Sequence, residues 1–251
     1  MTNPLAPNQV TIAAIARNEE ARIADFVAAH AWASEILVYD DASTDNTAAL
    51  ARELGARVIK ATTAKNGFDE KRNTLTPHIK TEWVLWLDID ECLFSTDFAA
   101  VASDLQNAPD AAGVRFRIAN YFLGTRMRSR AWTSWRGVRL ARTANASWQG
   151  PVHEKLIVEG QVIETKTKIT HYGDTVYEQR ARKTLAYNIL EADRLTRRPH
   201  FFDLLFRPMF ETFKYYVLKY GAIDGRAGLI FALHIYAAWF QRLAIAYTRR
   251  E

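Results

Sequence analysis

The chain has 251 residues, 49% of them hydrophobic, which suits one large ordered domain or a domain plus an appendage and excludes a disordered chain. One cysteine, Cys92, excludes an intramolecular disulfide and a cysteine-rich metal site, fits a reducing compartment, and reads as a small apolar filler. The net charge of +5 is uneven: from Thr175 onward there are 13 Lys and Arg against 7 Asp and Glu, so the cationic excess lies in the C-terminal third. A basic, aromatic-rich end segment points to an anionic membrane surface rather than to nucleic acid. Residues 1–9 show no cationic segment followed by an apolar one, so no secretory signal and a cytoplasmic location are expected.

Val10 to Ala16 reads as a buried strand, with Asn18 as N-cap of a helix reaching about His30. Glu35 to Asp40 is a second strand, and Ser43 or Thr44 can cap a helix ending near Gly55. A short strand at Ala56 to Lys60 and a helix from Phe68 to His78 precede a fourth strand, Trp83 to Leu87. That strand ends abruptly in Asp88, Asp90 and Glu91, and such regular alternation implies a mostly parallel sheet.

After a helix near Asp97 to Gln106 the pattern changes. Val114, Phe116 and Ile118 alternate with Arg115 and Arg117, and further strands are expected at Gly137 to Arg142, Leu156 to Val158 and around Ile169. These would add antiparallel or mixed edge strands. From Thr175, in capping-box spacing with Glu178, a helix is expected to Arg198. The domain expectation is therefore a catalytic α/β body over residues 1–174 and a helical region over 175–251.

The last section, Phe201 to Glu251, is apolar, aromatic and basic, with Pro208 and Gly221 as expected breaks. The longest uncharged run, Ala227 to Phe240, has 14 residues, short of the roughly 20 that span a bilayer. An interfacial helix pair is expected, with Phe201, Phe202, Phe206, Phe210, Tyr215, Tyr216, Trp239 and Phe240 available to headgroups; packing on the body or a partner subunit is the competing reading.

Three strand ends carry polar or acidic clusters: Arg17-Asn18-Glu19-Glu20, Asp40-Asp41 and Asp88-Ile89-Asp90-Glu91. In a parallel sheet all three emerge at one edge, where ligands bind. Three close acids call for a cation, and Asp88 and Asp90 could share one hard divalent metal. No glycine-rich phosphate loop is present, so a bound phosphate would need a metal and cations such as Lys65, Lys71 and Arg72.

Val38 to Thr47 (VYDDASTDNT) resembles the VVDDGSTDNT segment of family 2 glycosyltransferases, and Trp83 to Glu91 resembles their strand ending in a DxD motif. Gly67 to Asn73, Asn120 to Gly124, Val152 to Lys155, His171-Tyr172 and Lys219 to Gly225 are similar to the lipopolysaccharide core β-glucosyltransferase branch. Trp135 to Leu140 resembles that branch's D-x-Q-x-R-L segment, with Arg136 where an acid is common. Ala42 stands in place of the usual glycine, which matters only if its φ is positive.

The resemblance implies a GT-A fold, Rossmann-like, and transfer of a hexose with inversion from a nucleotide-diphosphate sugar, UDP-glucose favoured. The acceptor would be a lipid-anchored glycan such as lipopolysaccharide inner core, or a polyprenyl-phosphate-linked sugar. A non-catalytic membrane-surface protein that retains the fold is the rival. Carried over by residue, Asp40 and Asp41 would read base or ribose, with Asn18, Glu19, Lys71 and Arg72 near the nucleotide. Asp90 would hold Mg2+ or Mn2+, Asp88 would contact the donor, and His171 would complete the metal shell or touch the diphosphate. Glu154 would be the general base, with His153 as the alternative. Trp132 and Trp135 are candidates to stack on sugar faces, and oligomerisation through the C-terminal helices is a further expectation.

Overall fold

Apolar runs become largely buried central strands, and the half-buried Arg57–Lys60 adds an edge strand. In the computed structural model, which describes residues 5–61, 67–150, 154–195 and 197–249, they build β1 (Val10–Ala16), β2 (Glu35–Asp40), β3 (Arg57–Lys60) and β4 (Trp83–Trp86). β1 pairs in parallel with β2 on one side and β4 on the other, and β2 pairs in parallel with β3. Ile12, Val38 and Leu85 face a core completed by Ile23, Phe26 and Phe98, while Ala13, Leu37 and Trp86 face a second one with Leu75 and Trp148. The connecting helices are α1 (Glu20–Ala29), α2 (Thr47–Glu53) and α3 (Phe68–Leu75).

Beyond β4 the elements are β5 (Glu91–Cys92), α4 (Ser95–Gln106), β6 (Ala111–Phe122), β7 (Thr125–Arg126), α5 (Arg130–Thr133), β8 (Arg136–Arg142), β9 (Ala146–Gln149), β10 (Lys155–Val158) and β11 (Gln161–Tyr172). The sheet order is β3-β2-β1-β4-β8-β6-β11-β5, with β7 paired to β6, and β9 with β10 forms a separate hairpin. The sheet is therefore mixed: parallel from β3 to β4, with β8 joining β4 antiparallel and β6 joining β8 antiparallel. β5, which apolar patterning does not reveal, pairs antiparallel with β11 and sets His171 opposite Glu91.

Two helix starts differ from the expected caps. Neither Asn18 nor Ser43 and Thr44 is an N-cap; the helices begin at Glu20 and Thr47, after Glu19 and Asn46. The two ends cap each other instead. Glu20 accepts from the Asn46 backbone and side-chain amides at 3.0 and 2.9 Å, Asp45 accepts from the Glu20 N–H at 3.3 Å, and Thr47 Oγ1 accepts from the Glu19 N–H at 2.8 Å. A long-range exchange of this kind replaces local capping boxes.

Contacts divide the chain into two units, one holding the residues up to Ile118 and Trp135–His171, the other Ala119–Ser134 and everything from Tyr172. Residues 119–134 thus group with the C-terminal helices. Those helices are α6 (Tyr177–Asp193), α7 (Phe201–Phe213) and α8 (Gly225–Thr248), with a π turn at Lys214–Leu218. Thr175 is not the cap of α6, whose N-cap is Val176; its N–H donates to Gln179 at 3.3 Å, and the helix ends at Asp193, short of Arg198. Pro208 lies buried inside α7 rather than ending it, so packing there outweighs a proline penalty of about 3 kcal/mol.

Gly221 does mark a break, and a Cβ on Gly228 would lie 2.0 Å from the Gly221 carbonyl oxygen, so this approach requires glycine. Asp224 in the same turn accepts from the Arg128 and Ser129 N–H groups at 2.5 and 3.1 Å. The stretch Gly221–Thr248 is long and apolar enough to cross a membrane by length and composition, which the 14-residue uncharged run did not suggest.

His30, fully buried, donates from Nδ1 to the Phe26 carbonyl at 2.8 Å and accepts from the Leu93 N–H at 3.2 Å, tying α1 to the segment after the acidic turn. Burial lowers its pKa to about 4, against a partial offset from the Phe26 carbonyl. The unfolded chain therefore binds a proton near pH 6.5 that the folded one refuses, and stability falls as pH drops from there towards 4, by about 3 kcal/mol over the full window. Denaturant unfolding at pH 7 and pH 5 should show this loss for the wild type and a smaller one for His30→Gln; equal losses would contradict it.

Candidate active site

The parallel pairing brings the carboxyl ends of β1, β2 and β4 to one edge. At the β2 end, Asp40 Oδ1 accepts from the Ser43 N–H at 3.2 Å, while Asp41 pairs with Lys71 Nζ at 2.7 Å and Arg17 at 3.9 Å; both aspartates are buried. Asn18 is pinned to the same loop: its Oδ1 accepts from the Thr44 N–H at 2.8 Å, and its own N–H donates to Ser43 Oγ at 3.1 Å. Ala42 takes φ +55° and Asn18 φ +56°. The missing glycine therefore matters, since alanine bears about 1–2 kcal/mol of strain in this region.

After β4 the carboxylates point different ways. Asp88 Oδ1 accepts from Arg72 at 2.8 Å, and Asp88 Oδ2 lies 3.8 Å from Arg139. Glu91, buried, pairs with Arg139 at 2.8 Å and accepts from the Asp88 N–H at 3.1 Å, bracing the turn. Asp90 instead lies 3.4 Å from His171 Nε2 and 3.6 Å from Arg22, which also reaches Glu19 at 3.8 Å. Asp88 and Asp90 thus do not share one cation among these contacts.

These neighbours set the proton affinities. Burial would raise the Asp88 pKa, but the Arg139 and Arg72 guanidiniums hold it below the usual carboxylate range. For Glu91, burial raises, Arg139 lowers and the Asp88 charge raises again, leaving about 6. Burial lowers the pKa of His171, while its hydrogen bond to Asp90 and the surrounding carboxylates overcome this and raise it. Burial pushes the Cys92 thiol up to about 11, helped by Asp97, so it is no nucleophile near neutrality.

Arg72 NH2 also lies 3.5 Å from Glu154 Oε1, so one guanidinium nitrogen touches both Asp88 and Glu154. The Arg72 guanidinium stacks on Trp148 at 4.4 Å, and that of Arg139 on Trp135 at 5.1 Å. They line a cavity of about 630 Å3 with Asp88, Glu154, Arg115 and Lys155. The Trp135 ring lies across Gly137, where an added Cβ would come within 2.4 Å of it. Trp132, half-buried, packs with Phe122 and Phe231, and its indole N–H donates to Tyr215 at 3.3 Å. His153 and Lys65 lie outside the described residues.

No group of three or more His, Cys, Asp or Glu that could hold a metal occurs among the described residues. Asp90 supplies a carboxylate of the kind a Mg2+-type ion takes, with water and substrate phosphates completing the shell, and His171 beside it would have to give up its proton to ligate. Arg139, Arg22 and Trp148 were not singled out from sequence as site residues. Only Arg139 left a signal, as the arginine matched within the Trp135 to Leu140 segment.

The model of the family described as glycosyl transferase family 2 matches residues 11–156, more than half of the chain. The chain belongs to that family. A parallel α/β half with added antiparallel strands and a helical C-terminal region is the architecture expected of it. The chain is also 24% identical over 247 residues to a lipopolysaccharide core biosynthesis glycosyltransferase, LpsC, of Rhizobium meliloti (strain 1021), covering 92% of each. Among solved structures, S. aureus TarS 1-349 in complex with UDP-GlcNAc is similar with TM-score 0.49 and 13% identity, over 96% of this chain and 91% of that one. Glucosyl-3-phosphoglycerate synthase from Mycobacterium tuberculosis, in complex with Mn2+ and UDP-glucose, is similar with TM-score 0.46 and 16% identity, over 72% and 77%.

Proposed function

We propose that the protein transfers a hexose, with inversion, from a nucleotide-diphosphate sugar to a lipid-anchored glycan of the lipopolysaccharide core type. UDP-glucose is the favoured donor. The observation that carries the reading is the single Arg72 nitrogen shared by Asp88 and Glu154 at the edge of the cavity. In this scheme Asp88 faces the donor sugar and Glu154 takes the proton of the acceptor hydroxyl, so the two must lie near one reacting carbon. Asp40, Asp41 and Lys71 would hold the nucleoside at the β2 end, and Asp90 with His171 would hold the divalent ion. Such an ion supplies charge neutralisation at the diphosphate as the glycosidic bond breaks. Glu91 and Arg139 keep the Asp88 turn in place. The LpsC relative supports the lipopolysaccharide acceptor.

The helical unit supplies a lipid-facing surface in this reading. Phe202, Leu205, Phe206, Met209, Phe210 and Phe213 lie exposed at helical spacing on α7. The surrounding chain carries the cationic excess, which suits an anionic leaflet. Such a position would bring the enzyme to the cytoplasmic face of the membrane, where a lipid-anchored acceptor resides.

UDP-glucose turnover and UDP affinity, measured together with Mg2+ or Mn2+, test the chemistry. Asp90→Ala should abolish turnover and weaken UDP binding about tenfold or more, whereas Glu154→Gln should abolish turnover and leave UDP affinity within about twofold. Substantial turnover in Glu154→Gln would remove it as the base. For the surface, Phe202→Ser with Phe206→Ser should reduce sedimentation with phosphatidylglycerol vesicles, and unchanged partitioning would place that face elsewhere.

A further inference from the structure

The cavity beside Glu154 is cationic beyond what its own carboxylates balance. Its walls carry Arg72, Arg115, Arg136, Arg139 and Lys155 against Asp88 and Glu154. Arg136 is partly neutralised, since Glu164 accepts from it at 3.1 and 3.2 Å, and Arg139 is paired with Glu91 at 2.8 Å. Arg115 and Lys155 are exposed at the cavity and form no ion pair with a carboxylate among the described residues. Arg72 and Arg139 are 4% and 8% exposed, yet Arg72 Nε and NH1 and Arg139 Nε have no hydrogen-bond partner among the described residues. A buried guanidinium with unused donors is costly unless an anion completes it.

That anion need not be the donor diphosphate. Asp40, Asp41, Lys71, Asp90 and His171, placed around nucleoside and metal, do not line this cavity, whereas Asp88 and Arg72 on the donor-sugar side and the base Glu154 do. The cavity therefore reaches from the donor contact Asp88 to Glu154, the group that an acceptor hydroxyl must approach. Trp135, 47% exposed, adds to the cavity wall an aromatic ring of the kind a sugar packs on.

We infer that the acceptor sugar bound in this cavity carries an anionic group, a phosphate or a carboxylate, held by Arg115 and Lys155 together with Arg139. This rests on the glycosyltransferase reading and specifies its acceptor class. In it, Arg115 and Lys155 select the acceptor without touching the donor, and the cation at position 136 in place of an acid adds to the same preference.

Calorimetric titration of the full chain with glucose, glucose 6-phosphate, glucuronate, and UDP plus Mg2+ tests it, in the wild type and in Arg115→Gln/Lys155→Gln. Thermal melts confirm that the variant is folded. Glucose 6-phosphate or glucuronate should bind the wild type about tenfold or more tighter than glucose, and the variant should lose that margin while UDP affinity stays within about twofold. A margin for the phosphate alone assigns a phosphorylated acceptor, and one for the uronate alone a carboxylated one. If UDP binds but the three sugars bind alike, this inference fails and the transferase reading stands. If UDP affinity falls in step with the anions, the cations serve the donor and the inference is overturned. If UDP does not bind the wild type with either Mg2+ or Mn2+, both readings fall.

Discussion

Two buried guanidiniums, Arg72 and Arg139, set the geometry on which the site depends. Each is stacked on an indole and inserted between carboxylates: Arg72 between Asp88 and Glu154, Arg139 between Asp88 and Glu91. The charges alternate, from Glu154 through Arg72, Asp88 and Arg139 to Glu91. Ionic groups removed from water are tolerated only when paired, and deleting one partner typically costs several kcal/mol because its neighbour is left uncompensated. The network fixes where Asp88 and Glu154 sit before any substrate arrives, which is the preorganisation that group transfer needs.

The central strands of the parallel half, β1, β2 and β4, were legible because they are largely buried on both faces and so read as apolar runs. Their polar carboxyl ends marked Asp41, Asp88 and Asp90 as candidates, and the Arg72 candidate falls in the same place through α3. The antiparallel half was legible as strands but not as an order. Nothing in alternating residues tells that β8, rather than β6, lies against β4, and that placement is what brings Arg139 to Asp88 and Glu91. β5 has two residues, too few for any pattern, yet its pairing with β11 carries His171 to the acidic turn.

Local rules failed where distant partners took over. The N-caps expected at Asn18 and at Ser43 or Thr44 gave way to an exchange between two loops, with Glu20 and Asp45 each serving the other's helix. The same loops hold Asn18 and Ala42 in left-handed conformations, a strain located beside Asp41. In the helical unit, Pro208 sits within α7 because its packing decides against propensity. The Lys219 to Gly225 segment, read as part of a family resemblance, has its own structural account: Gly221 admits Gly228, and Asp224 holds the backbone of Arg128 and Ser129.

If Arg72 works through a guanidinium plane held against Trp148, which aims one nitrogen at both Asp88 and Glu154, and not merely as a positive charge, lysine should not replace it, because an ammonium has no plane to stack on that ring. The most direct measurement is kcat for UDP-glucose turnover in Arg72→Lys, alongside its melting temperature. The account predicts a fall of about a hundredfold or more in a variant that remains folded. Near wild-type turnover in a folded Arg72→Lys would contradict it.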